Sequence, residues 1–361
     1  MLTRQKLSLA VSLFLVLLSS EFEVVMAKHT PDQVSEEVVA LNNRAVAEIQ
    51  GNRYQEAIDL LKQAIVLQPD LAAIHFNLGC IYEMRKEYGP AIEALKITLV
   101  LSPTFTDAQH HLGTSYIKTG RFEEAVECFQ RALQLKPDRA DSLTELGFAY
   151  SMLGRDQDAV ESCKKAIRLK PDLAGAYNNL GVAYFKLGQV TEAVESLENA
   201  RRLEPTYPDV YDNLGSAYAA VGRANEAVAT YREALRLAPD YPEVLSNLGM
   251  AYCSLGDYRP AIESLQRAIR LAPDMAGAHY NLGYVFNKAG RRTQAIDSYK
   301  QALVLKPDFA EAHANLAVLY IQRGERGLAL EQYSLLKSLN YELAQKLFAA
   351  IYKDKILDAG K

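Results

Sequence analysis

The sequence predicts an all-α solenoid, a fold in which one helical unit is stacked repeatedly along the chain. Residues 174–207 have the pattern of two short amphipathic helices, separated by Gly188 and ended by Pro205. The same pattern returns every 34 residues over most of the chain. Neither helix can bury its apolar face alone, so each unit needs neighbours like itself.

Prolines mark the period of the repeat. Eight of them stand 34 residues apart: Pro69, Pro103, Pro137, Pro171, Pro205, Pro239, Pro273 and Pro307. Nine repeats follow this register: 38–71, 72–105, 106–139, 140–173, 174–207, 208–241, 242–275, 276–309 and 310–343. The residue after each proline is Asp or Thr, as in Asp70 and Thr104, and we expect these side chains to cap the helix that follows.

Glycine occupies one position of the first helix in seven repeats: Gly79, Gly113, Gly147, Gly181, Gly215, Gly249 and Gly283. A glycine inside a helix costs about 1 kcal/mol relative to alanine, so its recurrence predicts a compensating close approach of the second helix. A second series, Gly120 to Gly324 at the same period, is predicted to form the turn between the two helices with a positive φ.

This pattern of L-G-x-x-Y, followed by G, A, A and P over 34 residues, resembles the tetratricopeptide repeat (TPR) family. The resemblance covers residues 38–343. It implies a right-handed superhelix of helix-turn-helix units, whose concave groove binds a protein or peptide. The paired Lys and Arg clamp that some relatives use for chaperone tails is not matched.

The two ends of the chain differ from the repeats. Residues 1–27 combine a basic start, a short apolar run and a small residue at Ala27, which predicts a cleaved signal peptide and an exported protein. The alternative is a membrane anchor formed by residues 7–20. Residues 28–37 form a polar lead-in. Residues 344–358 are predicted to form a capping helix, with Leu347 and Phe348 in its apolar stripe.

Composition and motifs predict neither an enzyme nor a cofactor. The net charge of −4 argues against a general nucleic-acid partner. Glycine-rich phosphate loops, paired-cysteine metal motifs and nucleophile elbows are not present in the sequence. The adjacent His110 and His111 could meet Cys80, but neighbouring histidines face different sides of a helix, so no metal site is predicted. All four cysteines are expected to be free thiols.

A column of asparagines at the sixth repeat position is the main candidate binding feature. The resemblance places this position on the concave surface, where a carboxamide can both donate to and accept from a ligand backbone. The column is broken in the third and fourth repeats by His111 and Glu145. The candidate groove residues are Asn179, Asn213, Asn247, Asn281 and Asn315, with Asn178, Asp212, Tyr280 and Tyr284 beside them. Alternatively, the asparagines satisfy local polar groups of the fold.

These features predict a non-enzymatic interaction scaffold that binds a partner protein or peptide. Two alternatives remain open at the level of sequence. The chain could be an accessory that recruits proteins to an envelope assembly, secretion or glycosyl-transfer complex, or it could be a structural subunit that forms homo-oligomers. Contact with a membrane is expected only through an uncleaved N-terminal segment.

Overall fold

The computed structural model describes residues 34–358, and side chains up to residue 349. This range contains helices and no strand, which confirms the predicted all-α solenoid. The chain divides into two compact units, the first ending at Leu187 and the second beginning at Gly188. The predicted signal peptide and most of the predicted lead-in lie outside the described residues.

The first unit contains nine helices in its described part. They are α1 (Glu36–Gln50), α2 (Tyr54–Leu67), α3 (Ala72–Met84), α4 (Tyr88–Leu101), α5 (Thr106–Lys118), α6 (Phe122–Leu135), α7 (Ala140–Met152), α8 (Asp156–Leu169) and α9 (Ala174–Lys186). Each helix packs against the next, and the odd-numbered helices from α3 to α9 also contact each other in sequence. The odd-numbered helices therefore form one layer of the unit, on which the predicted groove residues of this half lie.

The second unit contains ten helices in its described part. They are α10 (Val190–Leu203), α11 (Pro208–Ala220), α12 (Ala224–Leu237), α13 (Pro242–Leu255), α14 (Tyr258–Leu271), α15 (Ala276–Lys288), α16 (Arg292–Leu305), α17 (Ala310–Gln322), α18 (Arg326–Leu339) and α19 (Tyr341–Asp358). The packing follows the same rule, and α11, α13 and α15 lie side by side.

The recurring glycine of the first helix permits close packing, as predicted. At six positions a Cβ atom would lie less than 3.0 Å from a buried side chain of the second helix: Gly79, Gly113, Gly147, Gly215, Gly249 and Gly283. At Gly283, for example, the atom would lie 2.8 Å from Cδ1 of Tyr299, which is fully buried. The missing side chain therefore makes room for the core residue sixteen positions later.

The turn between paired helices requires a left-handed residue, also as predicted. Seven glycines adopt φ values between +71° and +81° there. In the first two pairs, where the sequence has no glycine at this point, Asn52 and Lys86 take the same conformation with φ of 58° and 61°. Asparagine tolerates this region better than lysine, so Lys86 is the more strained of the two.

The predicted capping role of the residues after the prolines is wrong. The helices that follow begin two residues after Asp70 and its equivalents, so the residue directly before each helix is apolar, as in Leu71 and Phe105, or Arg139. The side chain of this residue makes no capping hydrogen bond in any of these eight described helices. The loop residue Thr206 instead donates to Glu204 at 2.8 Å.

A side chain at the fourth position of the next helix holds the loop that contains the recurring proline, through a hydrogen bond. The Nε2–H groups of three histidines donate to the proline carbonyl oxygen six residues earlier: His75 to Pro69 at 2.8 Å, His279 to Pro273 at 3.1 Å and His313 to Pro307 at 2.9 Å. The hydroxyl of Tyr211 does the same with Pro205 at 3.0 Å. These side chains are therefore structural.

The C-terminal helix α19 packs against α17 and α18. It begins at Tyr341, three residues earlier than predicted, and buries Ala344 and Leu347 in the core of this end. Phe348, predicted to lie in the apolar stripe, remains 39% exposed at the edge of Tyr333, with ring centroids 5.6 Å apart. Leu347 therefore provides the main apolar contact between this helix and the core.

Candidate partner-binding surface

The asparagine column forms hydrogen bonds between successive first helices. In the first unit, Asn77 Nδ2 donates to Asn42 Oδ1 at 2.8 Å, and Asn179 Nδ2 donates to the backbone oxygen of Thr144 at 3.2 Å. In the second unit, Asn247 donates to Asp212 at 3.0 Å, Asn281 to the Ser246 hydroxyl at 3.1 Å, and Asn315 to the Tyr280 hydroxyl at 3.0 Å. In every case the acceptor residue lies 35 positions earlier, at the fifth position of the preceding repeat.

These bonds support a structural role for the asparagines, the alternative that the sequence left open. A carboxamide has two N–H donors and an oxygen acceptor, and a bond to the preceding helix engages one of the donors. Asn247, Asn281 and Asn315 are partly exposed. Each amide is therefore held in a defined orientation by the fold and retains the capacity to bond a ligand.

The same geometry explains why the column is interrupted in the third repeat. An asparagine at position 111 would face Phe76, and one at position 145 would face His110, at the places where the other repeats provide an acceptor. Phe76 has no hydrogen-bonding atom in its side chain. The third repeat therefore uses a different connection, in which His111 Nδ1 lies 2.6 Å from Glu83 Oε2.

Carboxylates lie beside the amides at the start of the second unit. Burial, together with the charges of Asp209 and Glu243, raises the pKa of Asp212, while the hydrogen bond from Asn247 opposes the shift. The hydroxyl of Tyr241 donates to Asp209 at 3.0 Å. This part of the surface is acidic and partly desolvated, so it favours a cationic ligand group.

Aromatic rings follow the carboxylates along the same layer. Tyr280 packs against Phe309 with ring centroids 4.8 Å apart, and its hydroxyl accepts from Asn315 at 3.0 Å. Lys288 Nζ lies 5.4 Å from the centre of the Tyr284 ring, within cation–π range. Both tyrosines are partly exposed, and they offer flat apolar area next to hydrogen-bonding groups.

The structure therefore brings together six of the predicted groove residues, which we call the amide surface: Asp212, Asn247, Tyr280, Asn281, Tyr284 and Asn315. Asn213 is partly exposed in the same unit, whereas Asn178 and Asn179 are partly exposed in the first unit. Tyr241 and Ser246 were not among the predicted residues. One sequence signal identifies Ser246. It is a hydrogen-bond acceptor at the fifth position of a repeat, and the next repeat has an asparagine at its sixth position.

The cysteines of the described residues are not joined by disulfide bonds. All four cysteines lie in the described range and are free thiols, as predicted. Burial raises the pKa of Cys128 and Cys163 to about 12, so both thiols stay protonated and unreactive. From residue 34 to residue 358, the helices are all too short or too polar to cross a bilayer.

Paired helices of near-constant length, a left-handed turn within each pair and hydrogen bonds between successive first helices define a helical-repeat protein. Comparison with known families agrees. Residues 104–289, more than half of the chain, match the C-terminal domain of cilia and flagella-associated protein 70, and residues 47–86 and 283–324 match a TPR repeat family. The chain belongs to the tetratricopeptide repeat family, whose members generally act as non-enzymatic scaffolds for protein partners.

Three solved structures are similar to the chain, and the first two show the same fold. The Cut9–Hcn1 hetero-tetramer of the APC/C is 19% identical, with a TM-score of 0.60 over 92% of this chain and 66% of that one. A tetratricopeptide repeat protein from Parabacteroides merdae is 15% identical, with a TM-score of 0.58 over 70% of this chain and 100% of that one. A thermophilic TPR protein of Thermus thermophilus is 27% identical, with a TM-score of 0.44 over 50% of this chain and 99% of that one. No curated protein matches the chain.

Proposed function

We propose that the chain is a scaffold that binds an extended segment of a partner protein along the amide surface of the second unit. The observation that supports this proposal is the row of partly exposed, oriented amides at Asn247, Asn281 and Asn315. Neighbouring helices are spaced by about 10 Å, and an extended peptide rises about 3.3 Å per residue. One amide can therefore form a hydrogen bond with the peptide backbone at about every third peptide residue.

The side chains around the amides define the kind of partner. A lysine or arginine of the bound segment would neutralise Asp209, Asp212 and Glu243, and it would relieve the raised pKa of Asp212. The aromatic rings of Tyr280 and Tyr284 suit a neighbouring apolar residue or a second cation. The proposed partner segment is thus basic toward α11 and α13, and apolar or basic toward α15.

The test compares how much partner protein is captured by the protein that starts at Lys28 and by its variant with Asn247→Ala, Asn281→Ala and Asn315→Ala. Each amide–backbone bond contributes about 0.5–1.5 kcal/mol net, so loss of three weakens binding by roughly ten- to a thousandfold. Binding of the captured segment is then measured by calorimetry at two salt concentrations. Asp209→Asn with Glu243→Gln should also weaken binding and reduce its salt dependence.

The matched control is Asn77→Ala in the first unit, which removes the bond to Asn42 but leaves the amide surface intact. It should lower the melting temperature and leave partner binding unchanged. Unchanged capture by the triple variant contradicts the proposal. Equal loss of binding in the triple variant and in Asn77→Ala would assign the asparagines a purely structural role.

We also propose that the protein acts outside the cytoplasm, because residues 1–27 have the composition of a signal peptide. Amino-terminal sequencing of protein from its native host should give Lys28 as the first residue. An intact Met1 in an exported protein would favour a membrane anchor formed by residues 7–20. Recovery of the protein from the cytosol would contradict export.

A further inference from the structure

The third repeat interrupts the asparagine column with His111, and the contacts of this residue differ from those of the asparagines. His111 Nδ1 lies 2.6 Å from Glu83 Oε2 on the preceding first helix. The other carboxylate oxygen of Glu83 accepts a hydrogen bond from the Ser115 hydroxyl at 2.7 Å. Glu83 is therefore fixed at both oxygens, between α3 and α5.

A cysteine completes this cluster. Cys80 lies one helical turn before Glu83 on α3 and is 2% exposed. The Cys80 sulfur, a carboxylate oxygen of Glu83 and a ring nitrogen of His111 all lie within 4.8 Å of one another. The side chains of Glu83 and His111 are 14% and 23% exposed, so a cation can reach the three donor atoms from their side.

We propose that Cys80, Glu83 and His111 bind a zinc ion that joins α3 to α5. Thiolate, imidazole and carboxylate are the zinc ligands found in proteins, at distances of about 2.0–2.3 Å in a tetrahedral arrangement. Donor atoms in such a site lie about 3.3–3.8 Å apart. The most distant donors of the present cluster need to approach by about an ångström, whereas His111 Nδ1 and Glu83 Oε2, 2.6 Å apart, need to separate. Water fills the fourth position.

The proton balance of this step is defined. Next to the Glu83 carboxylate, His111 Nδ1 carries a proton before the metal binds. Zinc binding through Nδ1 moves this proton to Nε2, or releases it to solvent from the doubly protonated ring, and Cys80 releases its thiol proton to solvent as the sulfur–zinc bond forms. Without metal, burial and the charges of Glu83 and Asp107 raise the pKa of Cys80 well above its ordinary value. The thiol is therefore protonated without metal, and zinc has to displace its proton to bind the sulfur.

The surroundings fit a metal site better than a solvated ion pair. The Ser115 hydroxyl orients Glu83 from outside the ligand set, which is the role of outer-shell groups in metal sites. The rings of Phe76 and His110 stand edge-on to His111, with centroids 5.4 Å and 5.6 Å away, and hold its imidazole in place. Zinc would also replace the helix-to-helix bond that Phe76 prevents in this repeat.

The adjacent pair His110 and His111 predicted no metal site, because neighbouring histidines face different sides of a helix. In the structure His110 instead contacts Ser142 on the next first helix, Nδ1 to hydroxyl oxygen at 2.9 Å. The third ligand is Glu83, on the neighbouring repeat. The proposed site lies in the first unit and is independent of the amide surface, so either proposal can fail alone.

Cobalt provides the test, because a cobalt–thiolate bond gives a charge-transfer absorption band that carboxylate and imidazole do not. The full protein is stripped with EDTA and titrated with Co²⁺. We expect one equivalent to produce the band, and Zn²⁺ to abolish it by displacement. Zinc should also raise the melting temperature in a concentration-dependent manner.

The variants identify the ligands. Cys80→Ser should remove the charge-transfer band, and His111→Asn, which introduces the residue of the other repeats, should weaken cobalt binding at least tenfold. Cys253→Ser, which changes a half-buried thiol in the second unit, is the control and should leave the titration unchanged. Should Cys80→Ser fail to fold by circular dichroism, Glu83→Gln and His111→Asn still test the site.

Two results would overturn the proposal. Wild-type protein that shows no band with excess Co²⁺ would leave His111 and Glu83 as an ion pair beside an inert thiol. A band that persists in Cys80→Ser, or an unchanged cobalt affinity in both Glu83→Gln and His111→Asn, would place the metal elsewhere on the protein.

Discussion

At the scale of single residues, the recurring glycine shows how packing can reverse an intrinsic helix preference. Gly283→Ala should raise helix propensity by about 1 kcal/mol, yet its new Cβ atom would lie 2.8 Å from the Tyr299 ring. Tyr299 is fully buried and has no room to move. Overpacking costs about 1–3 kcal/mol, so we expect a net loss of stability in urea unfolding.

Gly277 on the same helix is the matched control, because nothing lies within 4 Å of a Cβ atom built there. Gly277→Ala should keep the propensity gain and stabilise the protein by up to about 1 kcal/mol. The two substitutions are chemically identical, but they should change the stability of the protein in opposite directions. The same sign in both would show that close helix approach is not the reason for the glycine.

His110 should make stability depend on acid pH. Burial lowers its pKa to about 4, and the neighbouring His111 adds to the shift while Asp141 opposes it. Between pH 6.5 and 4 the unfolded chain binds a proton that the folded chain does not, so stability falls as the pH falls through this window. The full loss is about 3 kcal/mol, and His110→Gln should flatten this slope in urea unfolding measured in EDTA.

His111 should show the opposite dependence. Burial lowers its pKa, but the charge and hydrogen bond of Glu83 outweigh burial, so the pKa lies above the ordinary value. Its contribution to stability is present below about pH 6.5 and is lost as the pH rises through the folded pKa. The stability of the His111→Gln variant should therefore no longer fall as the pH rises above about 6.5. Equal profiles for the two variants would contradict the environments described for these neighbours.

At the scale of elements, α19 closes the C-terminal end of the second unit mainly through Leu347. Leu347 is 4% exposed, whereas the adjacent Phe348 is 39% exposed. Leu347→Ala should cost about 2 kcal/mol or more, in the range of buried leucine truncations, and Phe348→Ala should cost less than half as much. Thermal melting distinguishes them, and a larger effect at Phe348 would contradict Leu347 as the main apolar contact of α19.

At the scale of the whole molecule, the chain is organised by contacts between close neighbours. In the part of the chain that the structure describes, the main helix contacts join helices no more than two apart in order. Leu265 is fully buried in a core cluster with Leu282 and Tyr299. Leu265→Ala should therefore loosen α13–α16 selectively.

Hydrogen exchange read by mass spectrometry measures this locality. Amides of α13–α16 should exchange faster in Leu265→Ala than in the wild type, while those of α1–α4 should exchange at unchanged rates. A uniform acceleration over all described helices would indicate one cooperative globular unit in place of a solenoid.

Much of the fold was predictable because it depends on residues close together in the sequence. The 34-residue period, the helix pairs, the left-handed turn glycines and the close-packing glycines are all properties of a single repeat. The capping prediction at Asp70 failed for a local reason as well. The loop after the proline extends two residues further before the helix begins at Ala72, and composition alone does not locate that point.

The candidate sites depended on tertiary structure. The sequence by itself determined which repeats carry an asparagine and where His111 interrupts the series, but it did not determine that each amide bonds the fifth residue of the preceding repeat. It also did not place Glu83 next to His111, 28 residues away in the chain. Those pairings depend on how far each repeat is rotated and shifted relative to the one before. That rotation is set by the packing of buried side chains between repeats, and periodicity within one repeat does not encode it.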